Sequence, residues 1–150
     1  MSTMLGTANA TSFASIDTAL AVNLVTPIIG FEASRRFVIR PLGKDYGAYA
    51  LMSSLDEPGL SFAVVPPGAL YPDYLVEIPE ADVDLLELRD AGEAEIWVLI
   101  TRKALPVPTA NLLGPIVVNR RTRRGAQVVL QESGYAVAVA VNAGTARPSA

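Results

Sequence analysis

Short apolar segments, each interrupted by proline, glycine or aspartate, run through most of this 150-residue chain. Eleven prolines and eleven glycines provide most of the interruptions, and both residues favour turns while they weaken helices and central strands. The segments between the interruptions are rich in β-branched and aromatic residues, which is typical of strands. This spacing therefore predicts a mainly β domain built from many short strands.

The predicted strands follow one another as expected for a small antiparallel barrel or sandwich. They lie at residues 37–40, 46–55, 60–65, 74–78, 95–101, 111–119, 126–131 and 135–141. Residues 126–131 are expected to pair with residues 116–119 across the loop 120–125. Pro115 cannot donate to a strand ladder, so it indicates an edge, a bulge or a bend within its segment.

One segment, residues 80–89, has the pattern of a helix. Its sequence, EADVDLLELR, places Val83 and Leu86, with Leu85 beside them, on one face. Its acids come first and Arg89 comes late, which suits the helix dipole. The predicted fold class is therefore mainly all-β, a barrel-like or sandwich domain with one short helix near residues 80–89.

The chain is expected to form one domain with a tail at each end. Residues 1–15 and 144–150 are small and polar and are predicted to be mobile, which assigns the domain to residues 16–143. No lysine or arginine precedes Arg35, so a secretory signal is not expected, and no apolar run approaches the ~20 residues that span a bilayer. We therefore expect a cytoplasmic protein that does not contact membranes.

Cysteine and histidine are both absent from the chain. This excludes disulfides, cysteine or histidine metal ligands, and a nucleophile activated by histidine. The adjacent carboxylates Asp56 and Glu57 precede Pro58 and Gly59, which is typical of a turn and not of an acid–base pair. We predict that the chain is not an enzyme and holds no cofactor and no metal.

Charge is unevenly distributed along the chain. Residues 73–95 contain nine acids and one base, whereas residues 96–130 contain six bases and no acid. One interpretation is that both groups are solvated surfaces. The other is that they form an acidic and a basic surface that face partners and accelerate encounters.

Four arginines lie in the loop 120–124, which raises the possibility of direct RNA binding. The net charge of −3 and the absence of interleaved aromatic residues weaken this interpretation. We keep a β-barrel that binds RNA through residues 120–124 as the alternative function, and do not expect direct nucleic-acid binding.

Several stretches, taken in order, resemble the FliW family of flagellar assembly factors. They are IGFE at 29–32, RFVIRPL at 36–42, SLDEPGLSFAVV at 54–65, YPDY at 71–74, TANLLGPIVVN at 109–119 and TRRGAQVVL at 122–130. Together they cover roughly residues 22–135. Residues 25–29 and 136–140 depart from the family pattern.

The resemblance implies a small barrel-like β domain without enzymatic activity and with two protein partners. One is CsrA, a small RNA-binding repressor that silences flagellin translation, and the other is flagellin. When secretion depletes cytoplasmic flagellin, a FliW-like protein is released, captures CsrA and relieves the repression. Any effect on RNA would then be indirect.

The YPDY stretch supplies three candidate contact residues, Tyr71, Asp73 and Tyr74. The two tyrosines lie in a proline-rich loop, and interface hot spots are enriched in tyrosine. The alternative interpretation, given equal weight, is a loop folded onto the end of the barrel.

Glu32 and Asn111 complete the set of candidate contacts. Glu32 is favoured over its neighbour Phe31, which is expected to be a core anchor. Asn111 begins an apolar run, where it either satisfies backbone groups or caps the strand edge of a partner. Trp97 lies within an apolar strand and is expected in the core.

Overall fold

A computed structural model describes residues 3–6, 19–102 and 106–147 of this chain. Most of its secondary-structure elements are strands. Within these ranges the strands are β1 (Thr3–Gly6), β2 (Leu20–Thr26), β3 (Arg36–Pro41), β4 (Ala50–Ser54), β5 (Ser61–Val65), β6 (Val76–Pro79), β7 (Ala94–Thr101), β8 (Thr109–Ala110), β9 (Ile116–Asn119), β10 (Arg124–Gln127) and β11 (Val139–Ala140). The helix α1 spans Glu80–Leu85, and short 3₁₀ turns span Lys44–Tyr46, Pro67–Ala69 and Ala91–Glu93.

Seven of these strands close into a barrel in the order β7, β5, β4, β3, β2, β10, β9 and back to β7. The neighbours are antiparallel except for β10 and β2, which run parallel. β8 and β11 continue the sheet beyond β7, and β1 pairs with β6 in a separate two-stranded sheet. The mainly β prediction is confirmed, and the architecture is a barrel and not a sandwich.

Alternation along the barrel strands divides the buried side chains between two cores. In β7, Trp97 and Leu99 belong to one core and Val98 to the other, as expected when successive side chains point to opposite faces. The first group, which we call the inner core, fills the barrel with Leu20, Val22, Leu24, Ile28, Phe37, Ile39, Ala50, Met52, Val64, Trp97, Leu99, Ile116 and Val118. The prediction that Trp97 is a core residue is confirmed.

The second group, the outer core, lies against the outside of the barrel wall. It joins Val98, Val117 and Ala126 of the wall to side chains from β6, from the end of α1 and from later loops. Its other members include Val65, Tyr71, Tyr74, Val76, Ile78, Leu86, Leu88, Leu112, Val128, Leu130, Tyr135, Val139 and Ala146. The barrel wall is therefore apolar on both faces along this side.

Gly125 shows how tightly β10 passes the inner core. A Cβ atom at this position would lie 2.7 Å from Cγ1 of Val22 and 3.1 Å from Cδ2 of Leu24. Since both neighbours are buried barrel residues, only glycine fits there without a shift.

Most predicted strands are confirmed, with changes at their ends. The segments near 37–40, 60–65 and 95–101 form β3, β5 and β7, and β9 pairs with β10 as expected. The predicted strand 46–55 was too long, because Tyr46 belongs to a 3₁₀ turn and β4 starts only at Ala50. Of the predicted strand 135–141, only Val139–Ala140 pairs. Three strands, β1, β2 and β8, were missed.

The predicted helix is confirmed but ends early. Glu87 takes a left-handed backbone conformation with φ 56°, and the Leu88 amide donates to the Val83 carbonyl across the helix end. This closing pattern stops the helix before Arg89. Leu86 is buried and Val83 partly buried, whereas Leu85 is exposed, so Leu85 does not share their face.

The ends of the described chain both contact the rest of the domain. β1 pairs with β6, and the Thr145 hydroxyl and the Ala146 amide donate to the Asp73 carboxylate. Residues 1–2, 7–15 and 148–150 of the two predicted tails lie outside the described residues, and the boundaries at 16 and 143 stay predictions. In the described part of the chain, α1 and the other helical turns are too short to span a bilayer.

Candidate functional site

Two loops at one end of the barrel, residues 27–35 between β2 and β3 and residues 55–60 between β4 and β5, lie side by side. The Asp56 carboxylate accepts hydrogen bonds from the Arg35 amide at 2.8 Å, the Arg36 amide at 2.9 Å and Nε of Arg36 at 2.8 Å. The buried Ser34 hydroxyl lies 2.8 Å from the Ser54 hydroxyl and donates to Glu57 at 2.6 Å. We call these two loops the loop platform.

Asp56 holds the two loops together mainly through hydrogen bonds from backbone amides and less through its ion pair with Arg36. The Arg35 and Arg36 amides, followed by the Arg36 side chain, lower the pKa of Asp56 from 3.8 to about 2. The Arg36 side chain is mostly exposed, and ion pairs in water contribute little to stability. The carboxylate therefore serves to hold one loop of the platform against the other.

Three apolar side chains of the loop platform face solvent. Ile29 is 69% exposed, Leu55 54% and Phe31 38%, and the Phe31 ring packs edge-on against Phe62 at 5.0 Å between centroids. Phe31 was predicted to be a core anchor, and it is only partly buried. A partner that covered these side chains would remove their apolar surface from water, which is favourable.

Glu32, a predicted contact residue, closes its own turn. Its carboxylate accepts from the Gly30 amide at 2.9 Å, and this bond is the main cause that lowers the pKa of Glu32. Gly30 has φ 93°, a backbone conformation that residues with a Cβ atom rarely adopt. Glu32 is exposed beside Phe31, so its role as a partner contact stays a prediction.

Gln127 links the loop platform to the TANLLGPIVVN segment, and the sequence analysis missed it. Its Oε1 accepts from the Ile29 amide at 2.8 Å, and its Nε2 donates to the Gly114 carbonyl at 3.1 Å. A Cβ at Gly114 would lie 3.0 Å from that Nε2. The signal in the sequence was a glutamine directly before the apolar run 128–130, since buried polar side chains require partners.

Asn111, another predicted contact residue, satisfies backbone groups as expected. Its Oδ1 accepts from the Leu113 amide at 3.1 Å and from the Gly114 amide at 2.9 Å. This bond pair shapes the turn before Pro115, from which β9 starts. Asn111 is half-buried, and its contact with a partner stays a prediction.

Tyr71 and Tyr74 are buried in the outer core. The Tyr71 hydroxyl lies 3.0 Å from the carbonyl oxygens of both Val139 and Ala140, and the Tyr74 hydroxyl donates to the Leu112 carbonyl at 2.6 Å. Burial, followed by the nearby Tyr49, raises the pKa of Tyr71 to about 12, and burial also raises that of Tyr74. The structure thus favours a loop folded onto the barrel, with neither ring exposed to a partner.

Asp73, between the two tyrosines, is exposed on the rim of a groove of about 860 Å³. The groove runs between β6, α1 and the segment 129–133 that follows β10. Four carboxylates line it, those of Asp73, Glu77, Asp82 and Glu132, together with the guanidinium of Arg147. We call this feature the acidic groove.

The arginine loop 120–124 docks against the end of α1. Nε of Arg121 lies 2.8 Å from Oε2 of Glu93, and its Nη2 donates to the Glu87 carbonyl at 2.8 Å. Nε of Arg124 donates to the Leu85 carbonyl at 2.9 Å. Cations are expected near the carbonyls that end a helix, so these two arginines have a structural role.

Asn119 holds the same junction from inside. Its buried Nδ2 donates to the carbonyls of Leu86 at 2.8 Å and Glu87 at 3.1 Å, and its Oδ1 accepts from the Arg121 amide at 2.8 Å. The acidic and basic segments of the sequence therefore meet and partly neutralise each other here. Direct RNA binding through residues 120–124 stays a prediction.

In a chain without cysteine or histidine, acidic side chains are the main candidates for catalysis or metal binding. Asp56 and Glu57 both accept hydrogen bonds from platform residues, as described above. Within residues 19–102 and 106–147, no three acidic side chains come close enough to hold a metal ion.

This chain is similar to known proteins in sequence and in fold. Residues 7–141 match the family described as FliW protein. A flagellar assembly factor FliW of Bacillus licheniformis is 36% identical over 107 residues, covering 71% of this chain and 74% of that protein. The Bacillus subtilis FliW is 37% identical over 109 residues, covering 72% and 76%.

A solved structure gives the same result in three dimensions. The crystal structure of the flagellar assembly factor FliW superposes with a TM-score of 0.74 at 25% identity, covering 81% of this chain and 85% of that one. The family match spans most of the chain and includes all seven barrel strands. The chain belongs to the FliW family.

Proposed function

We propose that this chain is a cytoplasmic, non-enzymatic flagellar assembly factor that binds CsrA and flagellin in alternation. The observation that carries the proposal is family membership, since the relatives that match are named flagellar assembly factors. In this proposal, free flagellin occupies the protein until secretion removes it. The released protein then captures CsrA and relieves repression of flagellin translation.

The loop platform supports a function in protein binding. A protein interface covers about 800 Å² on each side, and its energy concentrates in a few well-placed apolar groups. Ile29, Phe31 and Leu55 project from loops that Asp56, Ser34 and Gln127 hold in place. Groups that are already ordered lose less conformational entropy on binding.

The test is to mix the purified chain with the CsrA and the flagellin of its own organism. Size-exclusion chromatography and calorimetry should detect one complex with each partner, and excess flagellin should displace CsrA. If neither complex forms, the proposal is wrong. If both form but flagellin does not displace CsrA, partner binding stands and the alternation fails.

A matched pair of variants tests the loop platform. Ile29→Glu should weaken at least one complex about tenfold or more, because it places a charge in the proposed interface, a loss of ~1.4 kcal/mol or more. Val137→Glu is the control, since Val137 is 61% exposed but lies outside the platform. Equal affinities for the two variants would remove the platform from the interface.

The acidic segment 73–95 provides a second expectation, electrostatic guidance of CsrA, whose RNA-binding surface is expected to be basic. Reversing the charges of Glu80, Asp82, Asp84 and Glu87 should slow association and flatten its dependence on salt. Stopped-flow measurements over a range of salt concentrations give this comparison. An unchanged association rate would refute the guidance.

A further inference from the structure

The acidic groove contains one of the chain's own cations. The guanidinium carbon of Arg147 lies 4.3 Å from the centroid of the Tyr135 ring, which is a cation–π distance. Arg147 and Tyr135 both line the groove, together with the four carboxylates. The groove therefore already contains a position where a planar cation stacks on an aromatic ring.

Arg147 reaches this position through residues 145–147, which we call the C-terminal strap. Asp73 holds the strap, since its Oδ2 accepts from the Thr145 hydroxyl at 2.6 Å and its Oδ1 accepts from the Ala146 amide at 2.7 Å. Ala146 is buried in the outer core. The strap is therefore attached by one carboxylate, by one small side chain and by the contact of Arg147 with the Tyr135 ring.

Negative charge in the groove exceeds what Arg147 balances. The carboxylates of Glu77 and Asp82 form neither a hydrogen bond nor an ion pair with any residue that the structure describes. Asp82 is half-buried, and this burial raises its pKa. A cationic occupant would offset the cost of removing these charges from water.

We propose that the acidic groove is a docking site for an arginine-bearing peptide segment of a partner protein, and that Arg147 fills the site in the unbound chain. The groove is far larger than a single ion, and Leu75, Pro79 and Val129 add apolar surface for the rest of a peptide. Arginine fits better than lysine because its planar head stacks on an aromatic ring.

The strap then acts as a competitor for the incoming segment. A tethered group has a high effective concentration, so a partner must displace Arg147 before its own arginine can bind. The apparent affinity of the unchanged chain is the affinity of the open groove multiplied by the fraction of molecules whose groove is open. Removing the Arg147 side chain should therefore strengthen binding.

The experiment uses the full chain and a fluorescein-labelled peptide that repeats residues 143–150, AGTARPSA. Fluorescence polarisation at low salt should show that Arg147→Ala binds the peptide about 3- to 10-fold more tightly than the unchanged chain, as expected for a groove that is open in roughly a tenth to a third of molecules. A peptide with alanine in place of its arginine should bind neither protein.

Two further variants, made in the Arg147→Ala background, test the groove itself. Asp82→Asn removes a groove carboxylate and should weaken peptide binding several-fold. Asp45→Asn removes an exposed carboxylate that lies outside both the groove and the acidic segment 73–95, and it should have no effect. Melting temperatures of all variants confirm that the fold is kept.

The proposal is overturned if Arg147→Ala binds no more tightly than the unchanged chain, if neither protein binds the peptide, or if the alanine peptide binds equally well. Equal effects of Asp82→Asn and Asp45→Asn would also overturn it. These outcomes do not depend on CsrA or flagellin, so the groove and the proposed function can fail separately.

Discussion

The inner and outer cores both consist of buried apolar side chains, but they differ in the kinds of side chain that they contain. The inner core contains aliphatic side chains, Met52, Phe37 and Trp97, supplied by the barrel strands and the start of the loop that follows β2. The outer core contains three tyrosines, Tyr71, Tyr74 and Tyr135, from loops on one side of the barrel. All three hydroxyls bond to backbone atoms far away in sequence.

This difference shows two ways of burying a surface. In the inner core, shape and volume decide the packing, and alternation along each strand is enough to supply the side chains. In the outer core, irregular segments bring polar backbone groups inside, and each of these needs a partner. The tyrosine hydroxyls provide those partners, so the outer core depends on single hydrogen bonds as well as on packing.

The largest effect is expected for Trp97→Ala in the inner core. Deleting a large buried side chain removes its burial energy and leaves a cavity, at a cost of about 3–5 kcal/mol. Urea unfolding followed by circular dichroism measures the loss. A cost below ~1 kcal/mol would mean that the barrel interior collapses around the gap and is less tightly packed than the outer core.

A smaller effect is expected for Tyr74→Phe in the outer core. The ring stays, but the Leu112 carbonyl loses its partner while buried, which costs about 1–3 kcal/mol. Tyr46→Phe is the control, because Tyr46 is 60% exposed and should cost nearly nothing. If the two variants unfold at the same urea concentration, hydroxyl bonds do not distinguish the two cores.

The smallest effect concerns pH and the loop platform. Folding lowers the pKa of Asp56 from 3.8 to about 2, so its contribution to stability is complete above pH 3.8 and disappears as pH falls towards about 2. Asp56→Asn should reduce the acid dependence of the unfolding free energy in this range. Asp84→Asn, on the exposed surface of α1, serves as the control and should keep that dependence.

Hydrogen bonding at Asp73 lowers its pKa as well, chiefly through the Thr145 hydroxyl and then the Ala146 amide. The C-terminal strap should therefore detach by the same rule, as pH falls below the ordinary value of 3.8. Nuclear magnetic resonance of the Ala146 amide during an acid titration would record this release. An Ala146 signal that stays unchanged after Asp73 is protonated would contradict it.

Much of the inner core could be predicted from the sequence, because strand patterns are local. The segments that became β3, β5 and β7 were all recognised, and so was the burial of Trp97. β2 was missed although its buried and exposed residues alternate, because its start adjoins the small polar N-terminal stretch. The length of α1 was overestimated because nothing local announced the left-handed turn at Glu87.

The candidate site was harder to predict from the sequence. Tyr71 and Tyr74 were read as possible contacts because they lie in a loop, and loops are usually at the surface. Their hydroxyl partners lie 68 and 38 residues away, which no local pattern reveals. Gln127 was missed for the same reason, since its role depends on Ile29 in another loop.

The sequence by itself determined the mainly β class, the absence of cysteine and histidine chemistry, and the motifs that mark the FliW family. Only the tertiary structure decided how the barrel closes, through the β7–β9 and β10–β2 pairings, and which side of its wall receives a second core. The physical reason is that strand formation depends on neighbouring residues. The closure of the barrel, the burial of the tyrosines and the position of Arg147 over the Tyr135 ring depend on contacts between residues far apart in the chain.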